Sequence, residues 1–94
     1  MLPYEYMIKR VRIFDYVLNH EVITSFQASE ILETSLCSAS NILKRLHKQG
    51  WLNRERDNEI IGNRYLYYAS PVLEEQFDDY VEIAKERFTE ANKQ

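Results

Sequence analysis

The chain is poor in the residues that mark extracellular, fibrous and membrane proteins. Its 94 residues include one cysteine, two glycines and two prolines. A single cysteine cannot form a disulfide within the chain or build a cysteine-rich zinc site, and so little glycine and proline excludes collagen-like and linker segments. No apolar run approaches the roughly 18 residues of a membrane span, and no signal-peptide pattern opens the chain. We therefore expect a soluble, cytoplasmic protein.

The apolar and aromatic content is typical of a folded chain. Hydrophobic residues make up 45% of the sequence and aromatic residues 13%, which argues against disorder. The length suits a single domain, which we place at residues 1–94. So small a core leaves apolar surface uncovered, and association with a second copy would cover more of it.

The formal net charge of −3 is unevenly distributed. Residues 1–20 carry +1 and residues 21–35 carry −3. Residues 36–70 hold six Lys and Arg against three acids, and residues 71–94 hold three against seven, which gives +3 and −4. An acidic chain with its cations segregated in this way can still present a basic face to an anionic partner.

Residues 35–50 predict an amphipathic helix. One stripe is apolar and comprises Ala39, Ile42, Leu43 and Leu46. The other side begins with small polar residues and ends with cations: Cys37, Ser38, Ser40, Asn41, Lys44, Arg45 and Lys48. A helix that inserts its start into a DNA major groove and contacts phosphates further along has this layout. The solvated face of an ordinary helix has it too, and the helix alone does not decide between them.

The segments before this helix predict two helices and a short strand. We expect a first helix over about residues 4–19 and a short β-strand at residues 22–24. Ser25 is suited to cap a second helix over about residues 26–33.

After Gly50 the apolar pattern changes from helical to alternating. Two short strands joined by a polar loop, with Gly62 and Asn63 near its end, predict a hairpin. Ser70 and Pro71 then suit the start of a last helix that ends near residue 91.

The last helix has an apolar stripe that so small a domain can hardly cover. Its members follow three- and four-residue steps: Leu73, Phe77, Tyr80, Ala84, Phe88 and Ala91. We predict that this helix pairs with its copy about a two-fold axis, with the aromatic N terminus alongside through Tyr4 and Tyr6. The alternative is that the helix packs back onto its own domain.

The sequence offers no motif for catalysis, cofactor binding or metal binding. It lacks a glycine-rich phosphate loop, a His-Glu-x-x-His pair and a nucleophile with a base at a set spacing. Cys37 near a helix start suggests a redox-sensitive thiol, but with no second cysteine the simpler interpretation is a small residue that fits close to DNA. We predict no enzyme activity and no cofactor.

The order of helix, short strand, two helices, hairpin and long helix resembles the winged helix-turn-helix fold of the MarR and PadR regulator families. The resemblance is carried by SASNILKRLHKQGWLNRER, for the recognition helix and first wing strand, and by GNRYLYYASP for the return strand. It implies a mainly α domain with a small β-hairpin (α+β). Its parts would be a first helix at residues 1–20, a helix-turn-helix and wing at 22–70, and a dimerisation helix at 71–92. Glu33 and Thr34 replace the small residue usual in the turn before the recognition helix.

The resemblance implies a role in DNA binding for eleven residues. Four would meet base edges or nearby phosphates: Cys37, Ser38, Ser40 and Asn41. Three would contact phosphate: Lys44, Arg45 and Lys48. Four flank the wing: Arg54, Arg56, Asn63 and Arg64. Arg54 and Arg56 could instead pair with acids of the hairpin, and the tyrosines of the return strand are expected to pack in the sheet.

The resemblance further implies a homodimer that binds pseudo-palindromic double-stranded DNA, with recognition helices about 34 Å apart. Its expected use is transcriptional repression in the nucleoid. One alternative is a centromere-binding adaptor of a plasmid partition system. The other is a winged helix that binds a protein partner through the acidic last helix.

Overall fold

The computed structural model describes residues 3–57 and 64–92, and their side chains from residue 7 to residue 89. Four helices and three strands follow one another in the order α1 Pro3–His20, β1 Val22–Ile23, α2 Ser25–Leu32, α3 Leu36–Lys48, β2 Leu52–Arg56, β3 Tyr65–Ala69 and α4 Pro71–Asn92. This order confirms the predicted α+β winged helix. Among the described helices, none combines the length and the apolarity that crossing a membrane requires.

The three strands form one antiparallel sheet in the order β1-β3-β2. Tyr67 of β3 pairs with Ile23 on one side and with Arg54 on the other, so β3 is the central strand. Ile23 is β-branched and Tyr67 is aromatic, and both types suit a pleated sheet surface that packs against a core. The short strand and the hairpin of the sequence prediction are both confirmed, whereas the predicted turn at Gly62 and Asn63 lies outside the described residues.

Thr24, and not Ser25, caps α2. The hydroxyl of Thr24 accepts a hydrogen bond from the Gln27 backbone N–H at 3.2 Å, and the Gln27 side chain accepts one from the Thr24 backbone N–H at 3.0 Å. This reciprocal capping box satisfies two donors at once, whereas Ser25 in the capping position would leave that exchange unmade. The prediction of Ser25 was therefore wrong by one residue, and α2 begins at Ser25.

The turn between α2 and α3 uses a glutamate where glycine is usual. Glu33 has a φ of 53°, in the left-handed region that costs an L-residue about 1–2 kcal/mol. Its backbone N–H donates to the Glu30 carbonyl, and the Thr34 N–H donates to the Ser29 carbonyl at 3.1 Å. These bonds close the end of α2 and fix the direction in which α3 leaves.

The end of α3, the start of β2 and the start of α4 meet at two residues. Gly50 has a φ of 87°, and its N–H donates to the His47 carbonyl, while that of Trp51 donates to the Leu46 carbonyl. This is the Schellman arrangement, in which a left-handed glycine ends a helix. The buried Ser70 hydroxyl donates to the Gly50 carbonyl at 2.7 Å and accepts from the Leu73 N–H at 3.3 Å. Ser70 therefore caps α4 and anchors it to the end of α3.

A single apolar core joins all four helices to the sheet. Three of the four predicted stripe residues of α3, namely Ala39, Leu43 and Leu46, are buried in it, and Ile42 is partly buried against it. The buried members of the core are Ile13, Phe14, Val17, Ile23, Ala28, Leu32, Ala39, Leu43, Leu46, Leu52, Tyr67 and Leu73. Because α3 buries three of these side chains in the core, the opposite face of α3 is directed toward solvent.

The apolar stripe of α4 is divided between two surfaces. Leu73 is fully buried in the chain's own core, and Phe77 and Tyr80 pack against that core. The predicted role of Leu73 in dimer contacts is therefore wrong, because the domain covers that side chain itself. Ala84 is also buried, whereas Phe88 is 44% exposed. The side chains of Ala91, Tyr4 and Tyr6 lie outside the described part of the chain.

An aromatic cluster joins α1, the start of β2 and α4. The ring centroids of Phe14, Trp51 and Tyr80 lie 5.4, 5.4 and 5.5 Å apart in pairs, distances at which tilted and edge-to-face rings attract. Arg10 of α1 adds polar contacts beside it, donating to the Gln49 amide oxygen at 2.7 Å and to the Tyr80 hydroxyl at 3.5 Å. The end of α3 is thereby fixed relative to α4.

Candidate nucleic-acid interface

The outward face of α3 begins with short hydrogen-bonding side chains. Ser35 caps the helix, accepting from the Ser38 N–H at 3.1 Å, and its hydroxyl donates to the Ser38 hydroxyl at 3.0 Å. Cys37, Ser38 and Asn41 are exposed and Ser40 is half-buried. The first half of α3 therefore presents donors and acceptors to solvent, as the sequence predicts.

Asn41 and Cys37 stand one turn apart on this face. The Asn41 amide nitrogen lies 3.9 Å from the Cys37 sulfur, a contact to a weak acceptor. This contact orients the amide. Because sulfur is a weak acceptor, little free energy is lost when another acceptor replaces it. The pair therefore suits an amide that exchanges an intramolecular contact for one to a ligand.

The second half of α3 carries exposed cations. Lys44, Arg45 and Lys48 are all exposed, and they follow Asn41 along the helix by three, four and seven residues. Cations in the last turn also suit the negative end of the helix dipole. The predicted order of polar residues first and cations second is therefore present on the surface of the folded chain.

The wing places further arginines beside the helix. The Arg54 guanidinium carbon lies 4.2 Å from the centre of the Tyr65 ring, a cation–π contact across the hairpin. Arg64 lies 3.8 Å from the Asp57 carboxylate, and its carbonyl accepts from the Asp57 N–H at 2.9 Å. Arg56 is exposed near the end of β2, and Asn63 lies outside the described residues. Asp57 and Arg64 thus form an ion pair between an acid and an arginine of the wing.

A groove of about 770 Å³ separates α3 from the wing. Its lining comes from the start of α2, the outer face of α3 and both wing strands, and comprises Ser25, Phe26, Leu36, Ser40, Lys44, Arg54, Arg64, Tyr65 and Tyr67. Three of these nine residues are cations, and none is an acid. We call this surface the cationic groove. Its open shape and its charge suit a strand of phosphates.

Five of the nine residues that line the cationic groove are not among the predicted DNA-binding residues: Ser25, Phe26, Leu36, Tyr65 and Tyr67. Tyr65 was expected only to pack in the sheet, yet it lines the groove beneath Arg54. Leu36 falls in step with Ala39 and Leu43, yet it is 56% exposed and lies one turn before the first buried residue of α3. Phe26, in the first turn of α2, is likewise apolar and exposed. No helical pattern distinguishes the last apolar residue of a buried stripe from the first exposed one.

A second groove, of about 280 Å³, lies between α1 and α4 and is almost entirely apolar. It is lined by Ile8, Val11, Arg12, Val81, Ala84, Lys85 and Phe88. We call this surface the apolar groove. It contains the predicted dimer residues Ala84 and Phe88, at the end of α4 that the chain's own core leaves uncovered.

The histidines and acids offer no metal site in the described ranges, where no three His, Cys, Asp or Glu residues are grouped to hold an ion. His47 has a structural contact instead, since its Nδ1 atom lies 2.9 Å from the Leu52 carbonyl oxygen. That contact joins the last turn of α3 to the first wing strand. The ring centroids of His47 and Tyr67 lie 6.5 Å apart.

Comparison with known proteins identifies the fold. No protein-family model and no curated protein matches the sequence. The structure is similar to the transcriptional regulator Tm0710 from Thermotoga maritima, with a TM-score of 0.66 and 16% identity over 98% of this chain and 61% of that one. MepR, a transcription regulator of the Staphylococcus aureus multidrug efflux pump MepA, has a TM-score of 0.66 and 15% identity over 90% and 62%.

A MarR family protein from Bacillus stearothermophilus is similar too, with a TM-score of 0.63 and 12% identity over 97% of this chain and 59% of that one. The chain thus has the winged helix fold found in MarR-family transcriptional regulators, as the sequence resemblance implies. It spans about three fifths of the length of these proteins.

Proposed function

We propose that the protein binds specific double-stranded DNA as a homodimer and regulates transcription. The observation that carries this proposal is the cationic groove, in which Lys44, Arg54 and Arg64 face one open space with the Ser25 and Ser40 residues. Cations and hydroxyls are the groups that contact phosphate oxygens. The exposed start of α3, beside the groove, supplies the donors and acceptors that base edges require.

Sequence recognition is assigned to the first half of α3. Asn41 is exposed at the middle of the helix, and an Asn amide can form two hydrogen bonds with adenine in the major groove, worth about 1–3 kcal/mol of discrimination. Cys37, Ser38 and Ser40 lie on the same face. The cations Arg45, Lys48 and Arg56 would add affinity without sequence information.

Dimerisation is assigned to the apolar groove. Val81 and Phe88 of α4, with Ile8 and Val11 of α1, leave an apolar surface between the two helices. Arg12 and Lys85 lie at the same groove, while the acids Glu82 and Glu86 of α4 are exposed. A copy related by a two-fold axis would cover the apolar residues and bring opposite charges together.

Repression is the simplest outcome of this arrangement, because a dimer that occupies a promoter excludes the polymerase. The exposed acids of α4, among them Glu74, Glu75 and Asp78, support a different function, in which the helix docks on a basic protein. DNA selection decides between the two functions.

The test is selection of bound duplexes from a random pool by the full chain, followed by footprinting and affinity measurement at several salt concentrations. We expect enrichment of two inverted half-sites and a plot of log affinity against log salt with a slope of about −0.9 for each phosphate contacted. Asn41→Ala should lose preference at one adenine, whereas Thr89→Ala, on the far end of α4, should not. An unenriched pool would overturn DNA recognition and leave the acidic helix as the functional surface.

A further inference from the structure

The cationic groove contains two large apolar side chains that the fold leaves open. Phe26 is 60% exposed and Leu36 is 56% exposed, and both line the groove together with its cations. The other exposed large apolar side chains of the described residues lie outside this groove. Apolar side chains in an open, charged surface indicate a partner with an apolar group at that place.

Folding does not account for Leu36. It is the first residue of α3, directly after the cap at Ser35, and a polar residue there would leave the core unchanged. The next stripe residues, Ala39 and Leu43, are fully buried. Leu36 therefore continues the apolar stripe past the edge of the core and into the groove.

The chemistry of the major groove limits what Leu36 can meet there. Base edges present hydrogen-bond donors and acceptors, and one apolar group, the C5-methyl of thymine. Residues near the start of a recognition helix are those that reach base edges. Ser40, one turn after Leu36, lines the same groove, so an apolar and a polar contact are available side by side.

We propose that Leu36 contacts the C5-methyl group of one thymine in each half-site, with Phe26 excluding water from the same contact. This inference rests on the proposed DNA binding. It commits the apolar pair to DNA, because the groove they share holds Lys44, Arg54 and Arg64 and no acid. A protein surface or a second copy of the chain would not require three cations in the groove that the apolar pair shares.

The expected effect of one methyl group is small but measurable. Burying a methyl group contributes about 0.8 kcal/mol, which corresponds to about fourfold in affinity. Since deoxyuridine differs from thymidine only in that methyl group, replacing one thymine by uracil leaves every hydrogen bond of the base pair in place.

The experiment uses the duplex obtained by selection, with each thymine replaced in turn by uracil, and measures the affinity of the full chain for every version. We expect the parent protein to lose about fourfold at one thymine of each half-site. Leu36→Ala and Phe26→Ala should bind the thymine and uracil forms equally at that position. Leu36→Met, which keeps an apolar side chain, should retain the preference, and so should Val72→Ala, whose 45% exposed side chain lies outside the groove.

The possible results separate this inference from the function on which it rests. A chain that selects no DNA overturns the proposed function. A chain that selects DNA but shows no uracil effect, or whose Leu36→Ala and Phe26→Ala variants keep the parent's preference, overturns only the thymine contact. If Leu36→Ala does not fold, as judged by circular dichroism, the comparison of Phe26→Ala with Val72→Ala decides. A shift of Leu36→Ala from dimer to monomer would assign Leu36 to an interface between copies and overturn the proposal.

Discussion

The two grooves of this domain differ in chemistry and in the way the chain builds them. The cationic groove is formed by α2, α3 and the wing, whose residues all come from the segment 25–67. The apolar groove joins Ile8 of α1 to Phe88 of α4, near the two ends of the sequence. The first surface suits an anionic partner and the second an apolar one, so one small domain keeps two surfaces of different chemistry apart.

The two grooves also differ in how the charges of the chain are distributed around them. Net charge is −3 over the chain, yet the cationic groove contains only basic charges because the acids concentrate on α4. The exposed acids of α4 therefore lie on the helix that would face a second copy, and none of them lines the cationic groove. An acidic chain can bind DNA when this division is kept.

The largest expected effect comes from placing a charge in the apolar groove. Phe88→Glu should convert the dimer to a monomer, because two buried carboxylates would face an apolar surface. A monomer contacts only one half-site, so affinity for the full site should fall by about 100-fold or more. Sedimentation velocity and affinity for full and half-sites measure the two effects.

Ile83→Glu is the matched control for that change. Ile83 is 46% exposed on the same helix but does not line the groove, so this variant should remain dimeric and keep its affinity. If both glutamate variants dissociated, the interface would extend around α4, and the apolar groove would not define it.

A smaller effect is expected from removing one cation from the cationic groove. Lys44→Ala should lower DNA affinity about tenfold at 0.1 M salt and reduce the salt slope by about 1, because one phosphate contact is lost. Arg87→Ala should do neither, since Arg87 is exposed on α4 and lines neither groove. Equal losses in the two variants would show that the cationic groove has no special place in binding.

The smallest effect concerns the turn that directs α3 into the cationic groove. Glu33→Gly removes the strain of a left-handed residue, worth about 1–2 kcal/mol, but gives the unfolded chain more freedom, at a cost of about 0.4–1 kcal/mol. We expect a net gain of about 0.5 kcal/mol in the free energy of unfolding, measured in urea. Glu30→Gly, inside α2, should lose about 0.5–1 kcal/mol. A loss in Glu33→Gly as well would mean that the glutamate side chain stabilises this turn.

Most of the fold could be predicted from local signals. The alternation after Gly50, the Ser70-Pro71 start of α4 and the apolar stripe of α3 each depend on neighbouring residues, and the structure confirms all three. The cap of α2 was displaced by one residue because Thr24 and Ser25 are both suitable by type. The side chain of Gln27 decides between them through the capping box, and its reach is seen only in three dimensions.

The candidate surfaces were less predictable than the fold. Periodicity assigned the residues of α4 to one stripe, but the core covers Leu73 and leaves Phe88 44% exposed. Leu36 and Phe26 show the same problem at the starts of helices. Each is apolar, yet each lies in a first turn that the core does not cover. Where a core ends depends on how long the neighbouring elements are, and a helical pattern does not contain that information.

The aromatic cluster gives the molecule an internal optical reporter. Trp51 is the chain's single tryptophan. Its ring contacts Phe14 of α1 and Tyr80 of α4, just after the end of α3. Any change that moves α4 relative to the end of α3 must alter the surroundings of that indole ring. Its emission therefore reports any change in the position of α4 relative to the end of α3 in the unlabelled protein.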